Sequence, residues 1–162
     1  MTTAPRARRS ADEQHKLDAA MRRLHEEQIT FNQTLGIKVA SMAPGDMRLE
    51  FAMKPAFVGH FQYGRLHGGV ISAVLDTAGG FGLMLAIAER HPDETADQVM
   101  HRFSRMATID LRIDYLRPGM GSTFTARVEV TRLGGRLGST QTRLVNDEGT
   151  LIATGAAAYV IS

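Results

Sequence analysis

A histidine and two glycines, His67-Gly68-Gly69, run directly into an apolar stretch from Val70 to Ala88 that contains one carboxylate, Asp76. An ionised carboxylate in apolar surroundings is costly unless it is paired or its pKa shifts, so Asp76 needs either a partner or a task. The chemistry this set could do is attack on an activated carbonyl. A carboxylate can serve as base or nucleophile, and the unsatisfied N–H groups at a helix N-terminus favour a developing oxyanion. The structural alternatives are an Asp76 bonded to backbone or to an arginine, a His67 that caps or packs a turn, and glycines that only shape the start of the helix. Spacing adds a constraint. Gly68 and Asp76 are eight residues apart, roughly 12 Å along a helix axis, so one carbonyl carbon cannot lie within about 3 Å of both. If both act on one substrate, they come from two subunits whose central helices run antiparallel across a two-fold axis.

Positioning these residues is the work of the surrounding elements. Val70, Ile71, Val74, Leu75, Leu83, Met84, Leu85, Ile87 and Ala88 cover nearly the whole circumference of a helix, which marks one buried on most sides. Ser72, Asp76, Thr77 and the glycines interrupt it enough to argue against a membrane span. Gly79, Gly80 and Gly82 each weaken it by about 1 kcal/mol relative to alanine, so a sheet or a bound chain must approach the backbone there. Ahead of it, residues 1–10 read as a disordered arm. Ser10 and Glu13 form a capping-box pattern, and Leu17, Met21, Leu24 and Gln28 follow at helical spacing, predicting a helix over about 11–30. Strands are expected at 36–42 and, after Pro44-Gly45-Asp46, along the alternation Met47, Leu49, Phe51, Met53. Residues 90–104 give no clear pattern. Further strands follow at 108–115, 124–130, 136–146 and 150–161, separated by glycine-rich turns. The layout is α+β: one domain over 11–162, with a curved antiparallel sheet wrapped around a long central helix and an extra N-terminal helix.

The chain has 162 residues, 43% of them hydrophobic, enough for one real core. Arg6, Arg8 and Arg9 supply three positive charges against a net +2, so the remainder is near neutral and gives no sign of nucleic-acid binding. With no cysteine there is no thiol nucleophile and no zinc-thiolate site. The histidines show no metal-ligand spacing, and neither G-x-S-x-G nor a P-loop occurs. The first ten residues lack the apolar stretch of a secretory signal, which makes the cytoplasm the expected compartment.

The run Gly64-Arg65-Leu66-His67-Gly68-Gly69, with Asp76 nine residues after the histidine, followed by Thr108-Ile109-Asp110-Leu111-Arg112-Ile113-Asp114-Tyr115-Leu116-Arg117-Pro118, resembles the PaaI-type thioesterases of the hotdog fold. Arg102-Phe103-Ser104-Arg105-Met106-Ala107 extends the similarity toward the YigI branch of that family, over about residues 30–161. The resemblance implies an acyl-CoA thioesterase that releases free fatty acid and CoA, acting on medium or long chains. It also implies a homodimer or dimer of dimers, with no cofactor beyond the CoA of the substrate. Residue by residue, it assigns the catalytic carboxylate to Asp76, the N–H that polarises the thioester carbonyl to Gly68, a water-placing hydroxyl to Thr108 and the motif histidine to His67. Substrate contacts fall on Gln62, Gly69, Tyr115, Arg117, Gly134, Gly135 and Arg136, with Arg117, Arg132 and Arg136 placed to meet the CoA phosphates. One departure stands out: relatives carry an asparagine six residues before the histidine, where this chain has Phe61, and Gln62 is the candidate replacement. The rival readings are a dehydratase or hydratase on the same fold and a non-catalytic acyl-CoA binding protein.

Overall fold

In the computed structural model, which describes residues 8–162, a six-stranded antiparallel sheet curves around one long helix. The N-terminal elements are α1 (Ala11–Arg23), a π-turn (Leu24–Gln28) and α2 (Thr30–Leu35). Next come β1 (Lys38–Ser41), β2 (Arg48–Ala52), a short hairpin of β3 (Val58–His60) and β4 (Arg65–Leu66), and the central helix α3 (Gly68–Arg90). Helix α4 (Ala96–Arg102) leads into β5 (Ala107–Tyr115), β6 (Thr123–Leu133), β7 (Leu137–Asn146) and β8 (Leu151–Val160). The sheet order is β1-β2-β6-β7-β8-β5, which leaves β5 as an edge strand.

Alternation in the strands explains which face meets the helix. In β6, Phe124, Ala126 and Val128 are buried against α3 while Thr123, Arg127 and Glu129 are outside or at the rim. Around the first half of α3, Ile71, Val74 and Leu75 pack with Phe51, Phe57 and Phe124; around the second half, Leu83 and Ile87 pack with Leu17, Met21, Val99 and Tyr159. The helix is long and apolar enough by composition to cross a bilayer, contrary to the reading that its polar residues fall short, but here the sheet and α1 sheathe it. Two of its three central glycines are required by the sheet: a Cβ on Gly79 would lie 2.1 Å from Tyr159 Oη, and one on Gly82 2.6 Å from Val128 Cγ2. A Cβ on Gly80 would meet only Tyr159 Cε1, at 3.9 Å.

Three expectations need correction. The helix expected over 11–30 widens into a π-turn at Leu24 and ends at Ile29, whose extended backbone separates α1 from α2. Ser10 accepts from the Glu13 N–H at 3.2 Å, but the Glu13 carboxylate turns to Lys16 Nζ (2.8 Å) and the Ala96 N–H (2.9 Å) instead of closing a box. The complete capping box belongs to α4, where Thr95 and Gln98 cap reciprocally, in the segment the sequence left unassigned. Of the arm expected over 1–10, residues 1–7 lie outside the described residues, and Arg9 is held, its side chain donating to the carbonyls of Ala88 and His91 at the end of α3.

Candidate active site

Asp76 sits midway along α3, half-buried, and the sheet supplies its partners. Thr108 of β5 and Tyr159 of β8 are directly opposite each other in the antiparallel register, so both side chains project to the same face, toward the helix. Thr108 Oγ1 donates to Asp76 Oδ1 at 2.9 Å. Tyr159 Oη donates to the Asp76 carbonyl at 2.8 Å and lies 3.2 Å from Oδ1. Burial, and then the neighbouring Asp76 carboxylate, push the Tyr159 hydroxyl above its ordinary pKa, so at neutral pH it remains a donor. The second carboxylate oxygen, Oδ2, has no protein partner among the described residues. A carboxylate held at one oxygen and open at the other is arranged to take a proton or to attack.

The N-terminus of α3 forms a second locus. His67 caps it, its Nδ1 accepting from the Gly69 N–H at 2.9 Å. The Val70 and Ile71 N–H groups both bond the His67 carbonyl. Of the first four N–H groups of the helix, only that of Gly68 has no acceptor among the described residues. Tyr115 packs over it: a Cβ on Gly68 would lie 3.3 Å from Tyr115 Cε1, and Tyr115 Oη donates to the Gly68 carbonyl at 3.1 Å. A cleft of about 380 Å³ opens there, lined by Arg65, Gly68, Tyr115 and Arg117 among others. The free N–H, at the positive end of the helix dipole, is suited to an oxyanion. The Gly69 N–H is already occupied by His67.

Asp76 opens onto a different cleft, of about 220 Å³, which Thr108 and Tyr159 also line. Within one chain the structure therefore brings Asp76 and Thr108 together, and groups His67, Gly68, Gly69, Tyr115 and Arg117, but keeps the two sets apart. Gly134, Gly135 and Arg136 lie at a third place, the β6–β7 turn, where Gly135 borders a basic cleft with Arg90, Arg102 and Arg105. Arg102 is committed to Glu94 and Arg90 to the Leu133 and Gly134 carbonyls, whereas the side chains of Arg105 and Arg136 have no partner among the described residues. Gln62 is exposed in the turn between β3 and β4, beside Phe61, which is 88% exposed. Among the described residues no group of three or more His, Cys, Asp or Glu could hold a metal.

Sequence reasoning missed Tyr159, although it left a trace. The glycines of α3 were read as marking a close approach, and at Gly79 the group that approaches is the Tyr159 hydroxyl.

Residues 63–153 match the Thioesterase superfamily. The medium/long-chain acyl-CoA thioesterase YigI of Escherichia coli (strain K12) is 38% identical over 131 residues, 81% of this chain and 84% of the relative. Its counterpart from Salmonella typhimurium is 37% identical over the same shares. A Shewanella oneidensis protein related to the thioesterase superfamily has a similar structure, with a TM-score of 0.86 at 29% identity, covering 95% of this chain and 100% of that one. The Escherichia coli PaaI protein shares the fold at 21% identity, with a TM-score of 0.68 over 93% of this chain and 96% of its own. The chain belongs to the thioesterase superfamily, and its sheet wrapped around α3 is the hotdog fold.

Proposed function

We propose that this chain hydrolyses medium- and long-chain acyl-CoA to free fatty acid and CoA, and that it does so as a homodimer or a dimer of dimers. The observation that carries this reading is the pairing of a half-open carboxylate with a free Gly68 N–H in two separate clefts of one chain. Each lacks what the other has. The edge strand β5 is nine residues long, with Ile109 and Tyr115 more than half exposed, and adjoins the open face of α3 that carries Asp76 and Gly80. Pairing of two β5 edges with antiparallel α3 helices covers both surfaces and brings Gly68 of one subunit toward Asp76 of the other.

In that arrangement the thioester carbonyl oxygen accepts from the Gly68 N–H, which stabilises the oxyanion as it forms. Asp76 either takes a proton from a water that attacks the carbonyl carbon or attacks it directly, with water then cleaving the anhydride. In both routes the C–S bond breaks, the thiolate leaves protonated as CoA, and the acyl group leaves as a carboxylate. Thr108 fixes the carboxylate, and no cofactor is needed. Arg136, unpaired beside the basic cleft, is placed to hold the CoA phosphates.

A thiol-release assay across acyl-CoA chain lengths and aryl-CoAs tests the reading. Turnover should be highest on medium and long aliphatic chains and lost in Asp76→Asn. Water addition to an enoyl-CoA with the thioester left intact would point to a hydratase instead.

A further inference from the structure

The Asp76 cleft and the basic cleft near the β6–β7 turn share both of their walls. Asp76, Gly80 and Met84 line the first and Ile87 the second, and at spacings of three or four residues these four form one stripe along α3. The facing wall is one stretch of chain: Met106, Ala107 and Thr108 line the first cleft, Ser104 and Arg105 the second. The result is a groove with a carboxylate at one end, an apolar middle and a basic far end.

Length and charge decide what fits it. Asp76 and Ile87 are eleven residues apart, roughly 16 Å along the helix axis. A pantetheine arm spans nearly the same, roughly 15 Å from thioester sulfur to first phosphorus at about 1.2 Å of advance per bond. At the far end the Arg105 side chain lines the cleft and has no partner among the described residues. An acyl chain gains nothing from a guanidinium, whereas a phosphate accepts from it.

Gly80 marks the same path. Glycine weakens a helix interior by about 1 kcal/mol relative to alanine. A Cβ there would meet only Tyr159 Cε1, at 3.9 Å, so packing within the chain does not require it. A ligand running close to the backbone does. The helix of a second subunit does not reach this place: with Gly68 of one subunit opposite Asp76 of the other, α3 begins at Gly68 and stops short of Gly80. The subunit that supplies the free N–H has a basic cleft of its own, but its Gly68 and Ile87 are nineteen residues apart, roughly 28 Å in the opposite direction.

We infer that the groove from Asp76 past Gly80 to Arg105 holds the CoA arm of the substrate, with Arg105 as a further phosphate-binding residue. The subunit that supplies the carboxylate is then the one that binds CoA. The assignment rests on the thioesterase reading and on the site shared between subunits.

The test uses heterodimers of Asp76→Asn and Gly68→Val chains, in which the live site takes its carboxylate from the Gly68→Val chain. Arg105→Ala is added to one chain or to the other, and KM is measured for decanoyl-CoA and for decanoyl-pantetheine, which lacks the phosphates. On the Gly68→Val chain it should raise KM for the CoA ester about fivefold or more, and at least about threefold more than on the Asp76→Asn chain. The pantetheine ester should show no such difference. Gly80→Leu on the Gly68→Val chain should raise KM for both esters about fivefold or more, because they share the arm that passes it. Equal or reversed effects of Arg105→Ala on the two chains, or an unchanged KM in Gly80→Leu, would overturn the assignment. A verified heterodimer without these added changes that releases no thiol would instead remove the shared site on which it rests.

Discussion

Asp76 is held by two hydroxyls that do different work. Tyr159 is 3% exposed and reaches both the carbonyl and the carboxylate of Asp76, so Tyr159→Phe should cost about 1 kcal/mol of stability as well as activity. Thr108 is exposed and touches only the carboxylate, so Thr108→Val should lower kcat and leave Tm nearly unchanged. Thermal melts beside steady-state kinetics separate the two roles, and equal losses of stability would contradict them. For Asp76→Asn the expected loss is about 10²–10⁴ in kcat, the usual range for a positioned proton-transfer group. His25 predicts a pH effect whose sign is fixed. Its folded-state pKa is depressed by burial, so the unfolded chain binds a proton more readily, and stability falls as pH drops below the unfolded value of about 6.5. The carboxylates held below their ordinary range, such as Glu26 and Glu94, act only at pH values under about 4.5. Between pH 7.5 and 5.5 or so, His25→Phe should therefore flatten the fall in Tm; an unchanged slope would rule His25 out as its source. Asp76 and Thr108 were legible because a lone acid in an apolar helix and a motif both point at them. Tyr159 was not, since its role depends on strand register, which no local pattern reports.

The glycines of α3 test the packing element by element. Gly79→Ala forces Tyr159 and Thr140 to move and should cost about 1–3 kcal/mol, seen as a Tm lowered by several degrees. Gly80→Ala meets ordinary contact distances within the chain and should leave the fold at least as stable, through an alanine helix-propensity gain of about 1 kcal/mol. Equal losses at both positions would mean that the sheet contact is not what requires glycine at 79. Most of the fold was readable at this scale: the alternation in β2, β5 and β6 and the all-round apolarity of α3 are strong periodic signals. What failed did so for local physical reasons. The π-turn at Leu24 keeps apolar residues near helical spacing while the backbone widens, so periodicity runs through it unbroken. Helix α4 is seven residues long, too short for a periodic signal, and is held by its capping box, by Glu13 and by burial of Val99. The Glu13 carboxylate was read as a local cap because Ala96 is 83 residues away in the chain.

At the scale of the whole molecule, the decisive fact is that the free Gly68 N–H and the Asp76 carboxylate belong to different clefts. The turn that carries Arg136 lies near the other end of α3, and its contribution is separable: Arg136→Ala should raise KM for acyl-CoA, and raise it less for an acyl-pantetheine that lacks the phosphates. Equal effects on both substrates would make Arg136 structural. The separation of Gly68 from Asp76 is tested most directly by subunit complementation. Asp76→Asn removes the carboxylate, and Gly68→Val drives a side chain into Tyr115 at the free N–H. Each variant alone should be nearly inactive. In a verified heterodimer of the two, one site combines a wild-type Gly68 with a wild-type Asp76 and the other has neither, so about half of the wild-type activity per dimer should return. A folded heterodimer that stays inactive would contradict the shared site.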